Sequence, residues 1–364
     1  MKLSPDPQFT PEQEVLLWAI RVDHTKDERV AEILASGVDW RYIRETATQH
    51  GIIPLLYKRL KGEMADLVSL DELSTLKALF MANAIRNIRM EQHLLKVIDL
   101  LADAGIQAIP FKGPVLAVQA YGDLSMRSFC DLDILIHATD LSRACQVLAD
   151  HEYLLIDPVQ TRAERILSIV YQKHLSFSFN DYILELHWDI VEPLFAVSFN
   201  TDQIWDRSLP ISLNDHTVTA LSSEDMVIVL CFHGIKHGWG SLNWIADLVY
   251  TISNHPDIHW HDVFARAEHI GLKRIVLIGL FLAHKQGGIR FGLETENLFT
   301  SDTSMLKTAR KIQLNLFQYQ TLALYRSFFY LMSRERYKDK IMFLFYYFTN
   351  KVLKFVKWIV NKLP

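Results

Sequence analysis

Two carboxylates lie in an otherwise apolar segment, Asp-Leu-Asp-Ile-Leu-Ile at residues 131–136. The other four residues are leucine or isoleucine, which is typical of a β-strand that enters a hydrophobic core. Because side chains alternate along a strand, Asp131 and Asp133 point to one face, with Cα atoms about 7 Å apart. Two like charges on a buried strand repel each other and lose hydration. The segment therefore predicts a divalent cation between them; the alternative is that one acid is exposed and the other pairs with Arg127.

The residues before this strand supply a turn and positive charge. Lys112-Gly113 stand between a predicted strand at 106–111 and a predicted helix at 113–121. Free backbone N–H groups at a helix start can meet a phosphate, and glycine permits a close approach. We therefore predict that Lys112 and Gly113 bind phosphate, with an ordinary turn as the alternative.

A second alternating segment, residues 184–189, offers a third acid. Its Glu185, His187 and Asp189 share one face. Glu185 is our candidate to complete a carboxylate cage of the kind that supports displacement at phosphorus. His187 is interpreted as a metal ligand, a phosphate ligand, a proton relay or a plain polar group, and Asp189 is expected to be exposed.

A third candidate segment, residues 230–248, has helical spacing and places His233 and His237 on one face. We predict that this face closes over a triphosphate, with Lys236 and one histidine touching phosphates. A zinc site is the weaker alternative, because no cysteine or glutamate accompanies the histidines. Another alternative is a helix that packs His233 in the core and leaves Lys236 in water. Asp247 is predicted to anchor Lys236 or His237.

Together these three segments resemble the nucleotidyltransferase superfamily related to DNA polymerase beta, and within it the uncharacterised bacterial branch of the nucleotidyltransferase family 5 type. The matching blocks run from Lys112 to Ile136, from Leu184 to Trp188 and from Leu230 to Leu248. The resemblance covers residues 80–290 well. Each block alone is common, whereas the three in this order are specific.

The resemblance implies an enzyme that moves a nucleoside monophosphate from an NTP such as ATP to an acceptor and releases pyrophosphate. It implies a small mixed sheet flanked by helices, and Mg2+ or Mn2+ bound by Asp131, Asp133 and Glu185. On this basis Asp133→Asn is expected to abolish turnover and, by removing a like charge, to stabilise the metal-free protein. The residues it implies for nucleotide and phosphate binding are Lys112, Gly113, Arg127, His187, His233, Lys236 and His237.

The chain departs from the superfamily pattern at Lys112-Gly113, and this departure leaves the donor and the acceptor of the reaction open. Many members have Gly-Ser where this chain has Lys112-Gly113, and an abortive-infection toxin branch has a similar Lys-Gly-Gly. The acceptor therefore stays open between a small molecule, a peptide, a protein and a tRNA end. The alternatives are a toxin-type nucleotidyltransferase acting on tRNA or protein and a non-catalytic nucleotide-binding or regulatory module. The complete set of three acids argues against the non-catalytic module.

Hydrophobic periodicity divides the chain into four predicted domains. These are an N-terminal helical region (1–103), an α/β or α+β core (104–220), a helical region (221–290) and a C-terminal helical, basic tail (291–364). The resemblance implies that the core is the nucleotidyltransferase core and that the region 221–290 closes the active site. Residues 290–302 are expected to form a loop.

Capping residues support these boundaries. Gly105 follows a long amphipathic stretch as a C-terminal glycine should, and Ser222 with Asp225 forms a Ser-x-x-Asp start signal.

Composition constrains partners and compartment. The net charge is −4 and the pI about 6.4, so binding to long nucleic acid is not expected. Three cysteines without a Cys-x-x-Cys pair fit a reducing compartment, and the N-terminus has no signal-peptide pattern. We therefore expect a cytoplasmic protein.

The basic tail, residues 334–364, mixes eight Lys or Arg and two acids with aromatic and aliphatic residues. A basic amphipathic helix can make a weak contact with an anionic membrane or dock a partner. The alternative is that its aromatic side packs on the protein.

Overall fold

The computed structural model of the chain describes residues 7–23, 27–156, 173–191, 195, 197, 199, 201–318 and 322–360. It has an α/β fold in which a five-stranded mixed sheet is set among helices, as the sequence predicts. No helix of these residues is both long enough and apolar enough to cross a bilayer.

The described helices are numbered in chain order. They are α1 (Pro11–Ala19), α2 (Glu28–Ser36), α3 (Trp40–Gln49), α4 (Ile53–Glu63), α5 (Leu70–Asp103), α6 (Gly113–Tyr121), α7 (Leu141–Asp150), α8 (Thr201–Arg207), α9 (Ser223–Lys236), α10 (Leu242–Asn254), α11 (Trp260–Ile270), α12 (Lys273–Gly287), α13 (Leu293–Ser301), α14 (Thr303–Leu314), α15 (Leu322–Ser333) and α16 (Tyr337–Val360).

The described strands are β1 (Ala108–Pro110), β2 (Asp131–Ile136), β3 (Leu154–Leu155), β4 (His174–Phe179), β5 (Tyr182–His187), β6 (Leu209–Leu213) and β7 (His216–Ala220). The large sheet has the order β1-β2-β5-β4-β3, and β6 and β7 form a separate hairpin. Only the β2–β5 pair is parallel among the described pairs. The connection from β4 to β5 is the predicted two-residue turn, with Asn180 at φ +51.

Capping signals in the sequence are confirmed. The hydroxyl of Ser222 accepts a hydrogen bond from the backbone N–H of Asp225 at the start of α9. Gly105, at φ +67, follows the end of α5. The predicted loop at 290–302 is wrong, because α13 lies there. Its first turn carries Glu294, which suits the positive end of a helix, and its Phe299 is buried in the core.

The two faces of the sheet have opposite characters. One face carries Leu132 and Ile134 of β2 and Leu184 of β5, which pack with Leu94 and Val97 of α5 in one hydrophobic cluster. Because side chains alternate, the acids of β2 and β5 lie on the other face. Residues of α9 face that second side across a cavity. The largely buried carboxylates on this side need compensating charges or hydrogen bonds.

Helices from both ends of the sequence share the second core. Trp18 of α1 and Leu56 of α4 belong to the same buried cluster as Leu280 of α12 and Phe343 of α16. The N-terminal and C-terminal helices therefore share one core, and the division into four domains stays a prediction.

Candidate functional site

Pairing between β2 and β5 sets the position of the acids. In the parallel register Asp133 lies opposite Glu185 and Leu135 opposite His187. Neighbouring strands are about 4.8 Å apart, so the side chains of register partners meet on one face. One ligand atom each from Asp133, Glu185 and His187 lie within 4.8 Å of one another.

Asp133 is the most buried of the acids, with 1% of its surface exposed. Lys112 Nζ donates to its Oδ1 at 2.9 Å, and His187 Nε2 lies 3.0 Å from the same oxygen. Burial opposes ionisation, but Lys112 and His187 together hold the pKa of Asp133 well below its usual range. Its other oxygen, Oδ2, is buried and has no hydrogen-bond partner in the described part of the chain. Asp133 is therefore an ionised carboxylate with one oxygen still to be satisfied.

Glu185 and His187 form the second part of the site. Glu185 Oε2 lies 3.4 Å from His187 Nε2. Burial works against ionisation of Glu185, yet this contact leaves the pKa of Glu185 lowered. Burial likewise works against protonation of His187, but its contacts with Asp133 and Glu185 raise the pKa of His187. The two carboxylates therefore favour the protonated form of the imidazole in the metal-free protein.

Asp131 stands apart from this cluster, on the same face of β2. Burial and repulsion by Asp133 raise the pKa of Asp131. Asp131 lines the cavity in front of the sheet, whereas Asp133 lies beneath the cavity floor. Asp131 and Asp133, for which the sequence predicts the same role, thus differ in environment.

The turn at Lys112-Gly113 brings the ammonium group to the acids. Gly113 has φ +56, a conformation that disfavours residues with a side chain, and Pro114 follows it in the first turn of α6. A Cβ at Gly113 would lie 3.3 Å from the backbone oxygen of Asp131. Gly113 is therefore needed both for the turn and for its close packing on β2.

The end of α9 forms the opposite wall of the site. Backbone N–H groups of Gly238 and Trp239 donate to the carbonyls of Ile235 and Gly234, at 3.0 and 2.7 Å, which ends the helix in a Schellman motif. The chain then turns sharply into α10. This brings Trp244 next to the histidine pair, with ring centroids 5.4 Å from His233 and 5.1 Å from His237.

The predicted histidine face is present, and its members have different environments. Their rings lie 4.7 Å apart. Burial and the nearby Lys112 lower the pKa of His233 well below its usual value, so this residue is neutral. Lys236 Nζ lies 5.8 Å from the ring centroid of Phe195. Contact of His233, Lys236 and His237 with phosphate stays a prediction.

Arg127 has a partner that the sequence did not indicate. Its Nε and Nη2 donate to the two carboxylate oxygens of Asp247, at 2.7 and 2.9 Å, and Tyr121 donates to Oδ1 of the same carboxylate. Asp247 thus anchors Arg127, and a role in anchoring Lys236 or His237 stays a prediction. Nη1 of Arg127 is buried without a hydrogen-bond partner among the described residues. Phosphate binding by Arg127 would use this nitrogen and stays a prediction.

A cavity of about 380 Å³ joins these elements. This is the size of a small-molecule site, roughly 300–1,000 Å³. It brings together eight of the ten residues predicted for the site. Lining it are Lys112, Arg127, Asp131, Glu185, His187, His233, Lys236 and His237, while Asp133 and Gly113 support it from behind.

The donor set fits a divalent cation. Asp133 offers the unsatisfied Oδ2, and Glu185 and His187 offer atoms within 4.8 Å. Carboxylate oxygens suit magnesium, and an added imidazole nitrogen is also acceptable to manganese. Across the residues that the structure describes, these three make up the one group of three or more such side chains. The predicted set of Asp131, Asp133 and Glu185 thus overlaps with this group, which has His187 in place of Asp131.

Sequence reasoning missed some residues of the cavity and misplaced another. His174 on β4 is the register partner of His187, with ring centroids 5.0 Å apart, and Asn243 lines the cavity from α10. The alternation of side chains along β4 assigns His174 to one face of the sheet. Only the strand register shows that its neighbour on β5 is His187. Asp189, expected to be exposed, has a side chain only 19% exposed, lies 3.7 Å from Lys173 Nζ and accepts from the N–H of Ile190.

Comparison with known proteins gives a family and a distant structural likeness. Residues 36–288, more than half of the chain, match a family described as "Uncharacterised nucleotidyltransferase". No curated protein matches the chain. Among solved structures the chain is similar to the antibiotic-resistance factor ANT(2'')-Ia, determined in solution. The two are 9% identical with a TM-score of 0.31, over 65% of this chain and 96% of that one.

Proposed function

The chain belongs to the uncharacterised nucleotidyltransferase family, and on that premise we propose that it transfers a nucleoside monophosphate from an NTP to an acceptor, with a divalent metal ion and release of pyrophosphate. ATP is the donor to test first. We also propose a cytoplasmic location, because the three cysteines are all unpaired.

One observation carries the proposal. Lys112, Asp131, Glu185 and His187 line one cavity, and Asp133 lies behind it within reach of Glu185 and His187. Carboxylates next to a lysine in one cavity give the charge distribution that a metal–triphosphate complex requires.

Each residue of the site has a proposed task in the transfer. Asp131, Asp133 and Glu185 hold the metal, and His187 either joins them or keeps its present contacts with two of them. Bound there, Mg2+ or Mn2+ would neutralise charge on the triphosphate. Lys112, fixed by the Gly113 turn at the cavity edge, contacts the phosphates.

The reaction requires an acceptor oxygen to attack the α-phosphorus of the NTP. The new P–O bond forms as the bond from the α-phosphorus to the bridging oxygen breaks, and pyrophosphate leaves with that oxygen. Lys112, Lys236 and Arg127, which line the cavity, are proposed to offset the negative charge that builds up on the leaving group. Trp244 and the ring of neutral His233 offer flat surfaces for a base or an acceptor.

The acceptor class is a small molecule, a peptide or a protein. The experiment that tests the function incubates the purified protein with each NTP, Mg2+ or Mn2+ and a metabolite extract, and follows pyrophosphate release and products by mass spectrometry. We expect metal-dependent pyrophosphate release and one product carrying an added nucleoside monophosphate. Asp131→Asn serves as the inactive control.

Two outcomes would redirect the assignment. Nucleotide binding without turnover with any NTP would indicate the regulatory module. Transfer to tRNA or protein, together with growth arrest on expression, would indicate the toxin-type enzyme.

A further inference from the structure

The C-terminal helix α16 has two apolar sides. One side is buried, since Phe343 is 3% exposed and packs on Tyr330 with ring centroids 4.7 Å apart. At its start Asp339 pairs with the buried Arg334, and Arg336 donates to backbone carbonyls at the end of α11. The helix is therefore fixed to the protein by one side, which determines where the other side faces.

The opposite side of α16 exposes a row of large apolar residues. They recur at intervals of three or four, which places them in one stripe along a helix. Ile341 is 66% and Phe345 59% exposed. We define the apolar stripe as Tyr337, Ile341, Leu344, Phe345 and Phe348, all of them exposed.

Lysines border this apolar stripe. At 100° per residue Lys338 lies on one flank and Lys340 and Lys351 on the other. Lys338 and Lys351 are exposed. The two arginines of the basic tail near this helix, Arg334 and Arg336, have intramolecular partners instead. An apolar stripe between cationic flanks is complementary to a surface that is apolar inside and anionic at its rim.

We propose that the apolar stripe of α16 lies in the interface of an anionic lipid membrane, parallel to its plane. Ile341, Phe345 and Phe348 enter the acyl boundary, and the flanking lysines contact lipid phosphates. The aromatic rings suit the headgroup region. The spacing of the stripe continues in the sequence through Val352, Phe355 and Ile359.

The exposure of this stripe favours a lipid surface over an internal role. Phe343 packs α16 on the protein, and the fold leaves the stripe on the other side exposed. An exposed apolar patch of this kind marks an interaction site. The binding is reversible and weak, because a single interfacial helix of this kind is a peripheral contact, in agreement with the absence of any spanning helix among the described residues.

The test is sedimentation of the full chain with vesicles of phosphatidylcholine alone or with about one-third phosphatidylglycerol, at about 0.05 M and 0.5 M salt. We expect binding to the anionic vesicles at low salt and a fall of at least tenfold at high salt. The double variant Ile341→Ser/Phe345→Ser should lose at least tenfold in binding while it melts like the wild type. The matched control is Leu293→Ser, which removes a leucine that is 79% exposed on α13.

Three results would overturn the proposal. One is absence of binding of the folded protein to anionic vesicles at low salt. Another is equal binding by the double variant and the Leu293→Ser control, which would place the contact elsewhere. The third is a dimer in sedimentation velocity that dissociates in the double variant, which would make the stripe an interface between two copies.

Discussion

Lys112 and His187 meet at one oxygen of Asp133, the Nζ at 2.9 Å and the Nε2 at 3.0 Å. Both groups approach Oδ1, and the other oxygen of Asp133, Oδ2, is left without a partner among the described residues. In the metal-free protein the Lys112 ammonium and the His187 ring therefore stabilise the carboxylate that a metal would otherwise neutralise. Binding of a divalent cation must then compete with these two contacts.

We predict that Lys112→Met separates metal binding from nucleotide binding. Without the ammonium, Asp133 loses a competitor of the metal, so Mn2+ alone should bind about tenfold more tightly, roughly 1.4 kcal/mol. Affinity for a non-hydrolysable NTP with metal should fall by about 1.5–3 kcal/mol, the size of a charged hydrogen bond. Electron paramagnetic resonance of Mn2+ and titration calorimetry measure the two effects.

The control for this prediction is Lys96→Met, since Lys96 is exposed on α5 and lies over the ring of Phe179, outside the cavity. Unchanged nucleotide affinity in Lys112→Met would reduce Lys112-Gly113 to an ordinary turn.

The second prediction contrasts the two acids of β2. Asp131→Asn should abolish turnover yet raise the free energy of unfolding of the metal-free protein by about 1 kcal/mol, because burial and repulsion by Asp133 disfavour its charge. Asp133→Asn should also abolish turnover but lower that free energy by roughly 3 kcal/mol, because Lys112 and His187 lose their counter-charge. Urea denaturation without metal, beside a pyrophosphate assay, measures both.

Asp133→Asn is expected from the sequence alone to stabilise the metal-free protein, whereas the contacts of Asp133 in the structure predict the opposite sign. From the sequence, Asp131 and Asp133 are two like charges on one strand. Their alternation and strand position follow from local spacing, and β2 is where the sequence predicts a strand. The partners of Asp133 come from the residue before α6 and from β5, 21 and 54 residues away. Such contacts depend on strand order and register, which no local pattern encodes.

The same limit explains why the ion pair between Arg127 and Asp247 could not be predicted from the sequence. Each was visible as a charged residue in a candidate segment, but 120 residues separate them. The polar face of α9 was predictable from its spacing, whereas the ion pair depends on how α10 packs against α6 and the turn before β2. Helix caps at Ser222 and Gly105 were predictable, because capping involves neighbours in sequence.

A third prediction concerns the Arg127–Asp247 ion pair. Both side chains are buried, and the pair is bidentate. Removing one partner leaves the other buried and uncompensated, so Arg127→Met and Asp247→Asn should each lower the free energy of unfolding by about 3–5 kcal/mol. The double variant should lose less than the sum of the two, with a coupling of about 2 kcal/mol. Denaturant unfolding of the four proteins completes the cycle, and strict additivity would contradict a direct pair.

The last prediction concerns acid stability and His50. Its Nδ1 accepts the N–H of Leu242 at 3.1 Å, and its carbonyl accepts from Ser241 and Asn243, so it ties the end of α3 to the start of α10 beside the cavity. Burial lowers the pKa of His50 to about 4. An unfolded histidine has a pKa of about 6.5, so between these values the unfolded chain binds the extra proton.

Stability should therefore fall as the pH drops through this window. From pH 7.5 to pH 5 the loss attributable to His50 is about 2 kcal/mol. His50→Asn keeps an acceptor for Leu242 but cannot titrate, so over the same pH range the variant should lose about 2 kcal/mol less than the wild type. Urea unfolding of both proteins at the two pH values measures this difference. The contributions of all other titrating groups cancel in it, including that of His93, whose pKa is lowered to about 4. Both proteins could instead lose the same free energy of unfolding between pH 7.5 and pH 5. That result would show that His50 is already protonated in the folded state at pH 5. The contact with Leu242 would then not be the reason for acid sensitivity at this wall of the cavity.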